Sequence, residues 1–156
     1  MPPDRGGAVR SAQILEKPRK KRVVRQAPDY RQVDAAANVI SCKQLKAAIE
    51  TNGWKSPGIR DMNKTMAKHG VQMDKQVSIV DLCNAKYAKD VLTTNPEVST
   101  LMPCAWGVYE GKNGKIYISG MNMGLMGKMF GGNVAKVMGG AVSKDEKLIL
   151  NDVIRE

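Results

Sequence analysis

Two of the chain's three cysteines, Cys83 and Cys104, lie at the two ends of one helix-sized segment, CNAKYAKDVLTTNPEVSTLMPC. Two thiols that meet in the fold can form a redox or sulfur-transfer pair, and Cys83 stands just before a predicted helix N-terminus, whose dipole stabilises a thiolate. Thiolates with thioethers suit a soft ion such as Cu(I), and Met102, Met121 and Met123 are close in sequence. Cysteine is also a small apolar residue of protein cores, and the sequence leaves all three interpretations open.

Motifs that would settle the chemistry do not occur in the sequence. The cysteines form no C-x-x-C pair, haem attachment site or zinc knuckle. The sequence also has no Walker loop, dinucleotide-binding glycine motif or nucleophile elbow. The one histidine, His69, follows a predicted helix as a surface or structural residue. The sequence therefore favours a function without catalysis, and it assigns no cofactor and no metal.

The elements before Cys104 can be predicted from capping residues and apolar spacing. Ser41 and Gln44 form a capping box before a helix over about 42–52, and Asp61 caps a second short helix. The apolar run QVSIVDLC predicts a strand that is covered on both faces or central in a sheet. Asn84 then caps a helix that stops at Asn95-Pro96.

The second half begins with a hairpin. Asn113-Gly114, flanked by WGVYE and KIYIS, predicts two strands over about 104–120 joined by a type I′ turn. Ser143 with Glu146 forms another capping box, which predicts the start of a final helix. The expected fold is α+β, a small antiparallel or mixed sheet with a β-hairpin, covered by helices. If the strands that end at Cys83 and begin at Cys104 are neighbours, the two sulfurs lie close together.

Between the hairpin and the last helix lies a segment rich in methionine and glycine, NMGLMGKMFGGNVAKVMGGAV. Small residues recur there every four positions, which on one helix makes a stripe that another backbone can approach closely. We predict self-association or docking through these residues, which are Gly127, Gly131, Ala135 and Gly139.

The net charge of +10 is concentrated at the N-terminus, where residues 1–31 carry nine Lys or Arg against three Asp or Glu. Prolines and the lack of apolar periodicity predict an extended basic arm over residues 1–32, followed by a single domain over residues 33–156. Such an arm binds anionic partners through charge, and nucleic acid only non-specifically. The residues expected to do so are Lys17, Arg19, Lys20, Lys21, Arg22 and Arg25.

Several motifs of the folded part occur in the order and spacing of a known family. The chain resembles the bacterial and archaeal Domain of Unknown Function 302 family over about Ser41 to Leu150. The matching positions are Cys83, Asn84, Tyr87, Ala88, Pro103, Cys104 and Asn122. Ala85 and Met102 replace a proline and a leucine that are common in the family. The resemblance implies a small α+β domain, often dimeric, without an assigned reaction.

We therefore expect a non-enzymatic binding or accessory-subunit module that self-associates or docks on a larger protein assembly, as a homodimer or complex subunit. The alternative is a thiol redox, sulfur-handling or soft-metal protein with a ligand or redox site at Cys83, Asn84, Cys104 and Asn122. The start of the sequence has no secretory signal, and even the longest uncharged stretches of the sequence, such as residues 116–127, are too short to span a membrane. We therefore expect the protein in the cytoplasm.

Overall fold

A computed structural model describes residues 23–24, 30–34 and 42–154 of the chain. Its strands form one antiparallel sheet in the spatial order β1-β2-β6-β5-β4-β3. The strands are β1 (Val23–Val24), β2 (Tyr30–Asp34), β3 (Ile59–Asp61), β4 (Val77–Leu82), β5 (Cys104–Glu110) and β6 (Ile116–Met121). The apolar run that ends at Cys83 forms the predicted strand, β4, which lies inside the sheet between β3 and β5 but next to the edge and not at the centre.

Helices account for most of the remaining described chain, so the predicted α+β class is confirmed. They are α1 (Cys42–Thr51), α2 (Met62–Ala67), α3 (Ala85–Thr94), α4 (Met123–Phe130), α5 (Gly132–Lys136) and α6 (Ser143–Val153). A 3₁₀ helix (Pro96–Leu101) connects α3 to the hairpin, and a π-helical segment (Val137–Val142) connects α5 to α6.

Side-chain caps start two helices as predicted. The Asp61 carboxylate accepts a hydrogen bond from the Lys64 backbone N–H at 3.0 Å. The Asn84 side-chain oxygen accepts from the N–H groups of Lys86 and Tyr87, at 3.1 and 3.4 Å. Both side chains satisfy N–H groups that have no partner inside their own helix, which fixes where α2 and α3 begin.

The hairpin is present, but the predicted type I′ turn is wrong. The Gly111 N–H donates to the Lys115 carbonyl at 2.8 Å, and the Gly114 N–H donates to the Gly111 carbonyl at 3.0 Å. The loop therefore has three residues, with Gly114 in the left-handed region at φ 75°. Gly114 serves as the single left-handed residue that follows a turn, a role that suits glycine in a three-residue loop.

The start of α6 also differs from the prediction, because Ser143 is not a capping residue. The π-helical segment continues directly into α6, so Ser143 already has helical backbone angles, φ −61° and ψ −29°. No terminus with free N–H groups exists there for a capping box to satisfy. Glu146, the expected second member of the box, is instead buried, with 6% of its surface exposed.

One face of the sheet carries the core. Val80 pairs with Trp106 and Leu82 with Cys104, and directly paired residues of antiparallel strands point to the same face. Trp106 in turn lies over Gly120 of β6, where any side chain would collide with the indole ring. Leu45 and Ile49 of α1 are fully buried in the same core. Cys104 therefore points toward the helices that cover the core.

The predicted boundary between arm and domain, at residues 32 and 33, falls inside β2. The backbone of Tyr30–Asp34 pairs with β6 along its whole length. The six basic residues of the predicted arm lie outside the described residues, so the division into arm and domain stays a prediction.

Candidate functional site

The two cysteines singled out from the sequence lie at adjacent strand ends. Cys104 begins β5 opposite Leu82, the last residue of β4, and Cys83 follows directly. The Cys83 N–H donates to the Lys55 carbonyl at 2.8 Å, and the Cys83 carbonyl accepts from the Lys55 N–H at 2.9 Å. These bonds fix the backbone on which the Cys83 thiol is mounted.

Both cysteines line one apolar pocket between the end of the sheet, α3 and the π-helical segment. The pocket is small, with a cavity volume of about 20 Å³, and it is partly open to solvent. Its walls are formed by Trp54, Leu82, Cys83, Asn84, Tyr87, Ala88, Val91, Met102, Cys104, Val137, Met138 and Val142. Two cysteines and two methionines are thus among the walls of one pocket, whose other walls are mainly aliphatic and aromatic.

An aromatic pair forms one wall of the pocket, and a single carboxylate holds it. The rings of Trp54 and Tyr87 meet edge to face, with their centroids 5.8 Å apart. The Trp54 Nε1–H and the Tyr87 hydroxyl both donate to Oδ2 of Asp145, at 3.1 and 3.0 Å. Asp145 lies in the first turn of α6. We call this arrangement the Asp145 clamp, since it fixes the orientation of both rings.

Burial and nearby negative charge act against ionisation of the pocket's acidic groups. Burial, with smaller contributions from Glu146 and Cys83, raises the pKa of the Cys104 thiol to about 12. The pKa of Tyr87 is also raised, by burial first and then by Asp145. Cys104 is therefore a protonated thiol at neutral pH, and it is a poor nucleophile in this state.

The two asparagines of the predicted site separate in the structure. Asn84 caps α3 and lines the pocket. Asn122 instead caps α4 by accepting from the Leu125 N–H at 3.3 Å, and it is not a wall of the pocket. The structure thus brings Cys83, Asn84 and Cys104 together and leaves Asn122 with a capping role.

Of Met102, Met121 and Met123, the methionines near the hairpin ends, only Met102 lines the pocket. Met123 is buried in the core, and Met121 is 37% exposed at the end of β6. Met138 lines the pocket from the π-helical segment. The sequence offers Met138 as a possible soft ligand of the methionine-rich stretch, but no local pattern places it beside Cys83 or Cys104.

The predicted stripe of small residues does not lie on one helix. Gly131 ends α4 with φ 70°, so Gly127 lies on α4 and Ala135 on α5, while Gly139 lies on the π-helical segment. A Cβ on Gly127 would stand 2.9 Å from the Gly139 nitrogen and 3.0 Å from the Ala135 Cα. The close approach that the spacing predicted is therefore made between segments of the same chain, and the four residues do not form a stripe on one helix. Their role in docking stays a prediction.

The described residues can also be compared with the requirements of a metal site and of a membrane-spanning helix. In residues 42–154, no three His, Cys, Asp or Glu side chains group in a way that could hold an ion. His69 is exposed just after α2. None of the helices in the described part of the chain has both the length and the apolar character needed to cross a membrane.

Comparisons with known proteins agree with this architecture. The family model described as Domain of unknown function DUF302 matches residues 39–150, a range that contains every wall of the pocket. Among solved structures, an uncharacterized conserved protein DUF302 from Bacillus stearothermophilus aligns with a TM-score of 0.70 and 20% identity. The alignment covers 81% of this chain and 99% of that one. None of the curated proteins is similar enough to count as a relative.

Proposed function

This chain belongs to the Domain of Unknown Function 302 family, and we propose that it is a non-enzymatic binding module whose ligand occupies the apolar pocket beside Cys83 and Cys104. The observation that carries the proposal is the pocket itself. Ligand sites in proteins are typically concave and mostly apolar, with a few polar groups that orient the ligand. Here the walls are mostly apolar, and Cys83, Asn84, Tyr87 and Cys104 are the wall residues whose side chains also carry a polar group.

The alternative of thiol catalysis receives less support from the electrostatics. A catalytic thiol needs a lowered pKa or an adjacent base, because the thiolate is the nucleophile. The pKa of Cys104 is instead raised to about 12. A protonated sulfur in an apolar wall suits contact with a ligand better than attack on a substrate.

The experiment that tests pocket binding uses the neutral fluorescent probe N-phenylnaphthylamine and a pair of matched variants. Ala88 and Ala85 both lie on α3, but only Ala88 lines the pocket, and Ala85 is exposed. Ala88→Phe should fill the pocket and lower the fluorescence gain of the probe by about tenfold, while Ala85→Phe should leave it unchanged. Equal probe binding by both variants and the wild type would place the probe elsewhere and contradict the proposal.

A second candidate function, docking on a protein surface, is favoured by two side chains at the end of α4. Met129 is 70% exposed and Phe130 is 44% exposed, next to the glycines that separate α4 from α5. Neighbouring exposed apolar side chains are frequent in protein interfaces. We propose a second copy of this chain as the occupant, so that the module self-associates through this end of α4.

The remaining parts of the proposal concern partners and location. The basic arm is proposed to contact an anionic surface of a larger assembly, and replacing its six basic residues with Gln should remove salt-dependent retention on heparin. A cytoplasmic location is proposed because all three cysteines are free thiols, which persist in reducing compartments.

A further inference from the structure

We propose that the pocket binds a Cu(I) ion through the sulfurs of Cys83 and Cys104, with the thioether of Met102 or Met138 as an additional ligand. This inference rests on the proposed function, because it names the ligand of the same pocket. Its basis is the convergence of four sulfur-bearing side chains from separate elements. Cys83 follows β4, Cys104 begins β5, Met102 ends the 3₁₀ helix and Met138 comes from the π-helical segment.

The set of donor atoms selects a soft monovalent ion. Thiolate and thioether ligands favour Cu(I), whereas imidazole and carboxylate ligands suit Zn²⁺ and harder ions. A structural zinc site needs four ligands of the Cys, His or carboxylate type. The described residues hold no group of three such side chains, so a zinc ion would find an incomplete set. Cu(I) accepts low coordination numbers, for which two cysteines and one methionine are enough.

The walls around the sulfurs favour the same ion. Leu82, Val91 and Val142 line the pocket together with the Trp54 ring, so the walls are largely apolar, although the pocket is partly open to solvent. An apolar shell around a metal limits the access of solvent and influences the redox potential of the bound ion. Copper displaces the thiol protons to solvent, including the proton that burial holds on Cys104, and forms bonds to both thiolate sulfurs and to one thioether sulfur. Neither copper nor sulfur changes its oxidation state.

Cys42 provides a matched control, because it lies at the start of α1 and is not among the walls of the pocket. The test is an anaerobic titration of the full chain against the copper complex of bathocuproine disulfonate, a coloured Cu(I) chelator. The wild-type protein should remove one Cu(I) per chain from the chelator, which is seen as a loss of the colour of the complex. Cys83→Ser and Cys104→Ser should each weaken binding by about tenfold or more, and Cys42→Ser should not. The double variant Met102→Leu/Met138→Leu should weaken Cu(I) binding less than either pocket cysteine variant does.

A second measurement on the wild type guards against variants that fail to fold. X-ray absorption at the copper edge should show sulfur as the nearest neighbour and no shell of nitrogen or oxygen. The inference is overturned if wild type leaves the chelator's copper in place, if Cys42→Ser weakens binding as much as Cys83→Ser, or if copper has only nitrogen and oxygen neighbours. If the pocket still binds N-phenylnaphthylamine in any of these cases, the inference fails and the proposed function stands.

Discussion

At the scale of single residues, the shape of the pocket depends on the Asp145 clamp. Trp54 is 2% exposed, so removing its acceptor leaves a buried N–H group without a partner. Asp145→Ala should therefore lower the free energy of unfolding by about 1–3 kcal/mol in urea denaturation. Tyr87→Phe should cost about 1 kcal/mol in wild type and much less in the Asp145→Ala background, because the two changes remove the same hydrogen bond.

Asp152 is the control for the clamp, because it lies on the same helix and accepts from the Asn52 side chain at 2.7 Å at an exposed site. Asp152→Ala should change the free energy of unfolding by no more than about 0.5 kcal/mol. Strictly additive effects of Asp145→Ala and Tyr87→Phe would show that the two side chains act independently.

The Cys104 thiol should make the protein's stability fall at alkaline pH. Its pKa is about 12 in the folded protein, against 9.0 for an ordinary cysteine, so the folded state favours the protonated form. The stabilisation is complete below pH 9 and is lost as pH rises toward 12, because the unfolded chain releases the proton first. Urea midpoints measured across this window should fall less steeply for Cys104→Ser than for wild type or Cys42→Ser. If the urea midpoints of all three proteins fell equally steeply with pH, the Cys104 thiol would not be the cause of the alkaline loss of stability.

The sequence predicts the role of a residue whose partners are near it in the chain. It does not predict a role that depends on residues brought together by the fold. Asn84 was recognised as a cap because its N–H partners are two and three residues away. Trp54 and Asp145 are 91 positions apart, and no local pattern joins them. The two cysteines were found because their residue type is rare and they flank one helix, but the shared pocket depends on strand pairing.

At the scale of secondary-structure elements, the close approach of α4 to the π-helical segment leaves no room for a side chain at Gly127. A methyl group on Gly127 would meet backbone atoms of Ala135 and Gly139, which cannot move like a flexible side chain. Gly127→Ala should therefore cost about 1–3 kcal/mol of unfolding free energy in thermal or urea denaturation.

Gly140 is the matched control, since it lies in the same π-helical segment and a methyl group there meets nothing within 4 Å. Gly140→Ala should be neutral or stabilise by up to about 1 kcal/mol, because alanine restricts the unfolded chain. If Gly140→Ala destabilised the protein as much as Gly127→Ala, the close approach at Gly127 would not be the cause of the loss of stability.

Elements with side-chain caps or a marked turn were predictable, whereas continuous helical transitions were not. Asp61 and Asn84 each mark a helix start through a hydrogen bond that the sequence spacing reveals. Ser143 has the same signal, but the chain before it is already helical, so no free N–H groups await a cap. Gly127, Gly131 and Gly139 are regularly spaced in the sequence, which predicted a stripe on one helix. Because α4 ends at Gly131, these residues belong to different segments and form no such stripe.

At the scale of the whole molecule, self-association through the end of α4 should depend on Met129 and Phe130. Replacing both with Ser removes the exposed apolar side chains, and sedimentation equilibrium should then show a weaker dimer than wild type. Leu148→Ser is the control, because Leu148 is 50% exposed on α6, a different helix. A wild-type chain that stays monomeric, or a dimer unchanged by the double substitution, would exclude this surface.

The central claim is that the pocket beside Cys83 and Cys104 is the ligand site, and amide NMR of the labelled protein titrated with N-phenylnaphthylamine tests it most directly. The account predicts that the largest shift changes fall on the backbone amides of Cys83, Ala88 and Val142, which belong to three separate walls of the pocket. The same titration of Ala88→Phe should leave the amide shifts of Cys83 and Val142 unchanged. Shift changes that concentrate instead at Met129 and Phe130, or that persist at the pocket in Ala88→Phe, would contradict the claim.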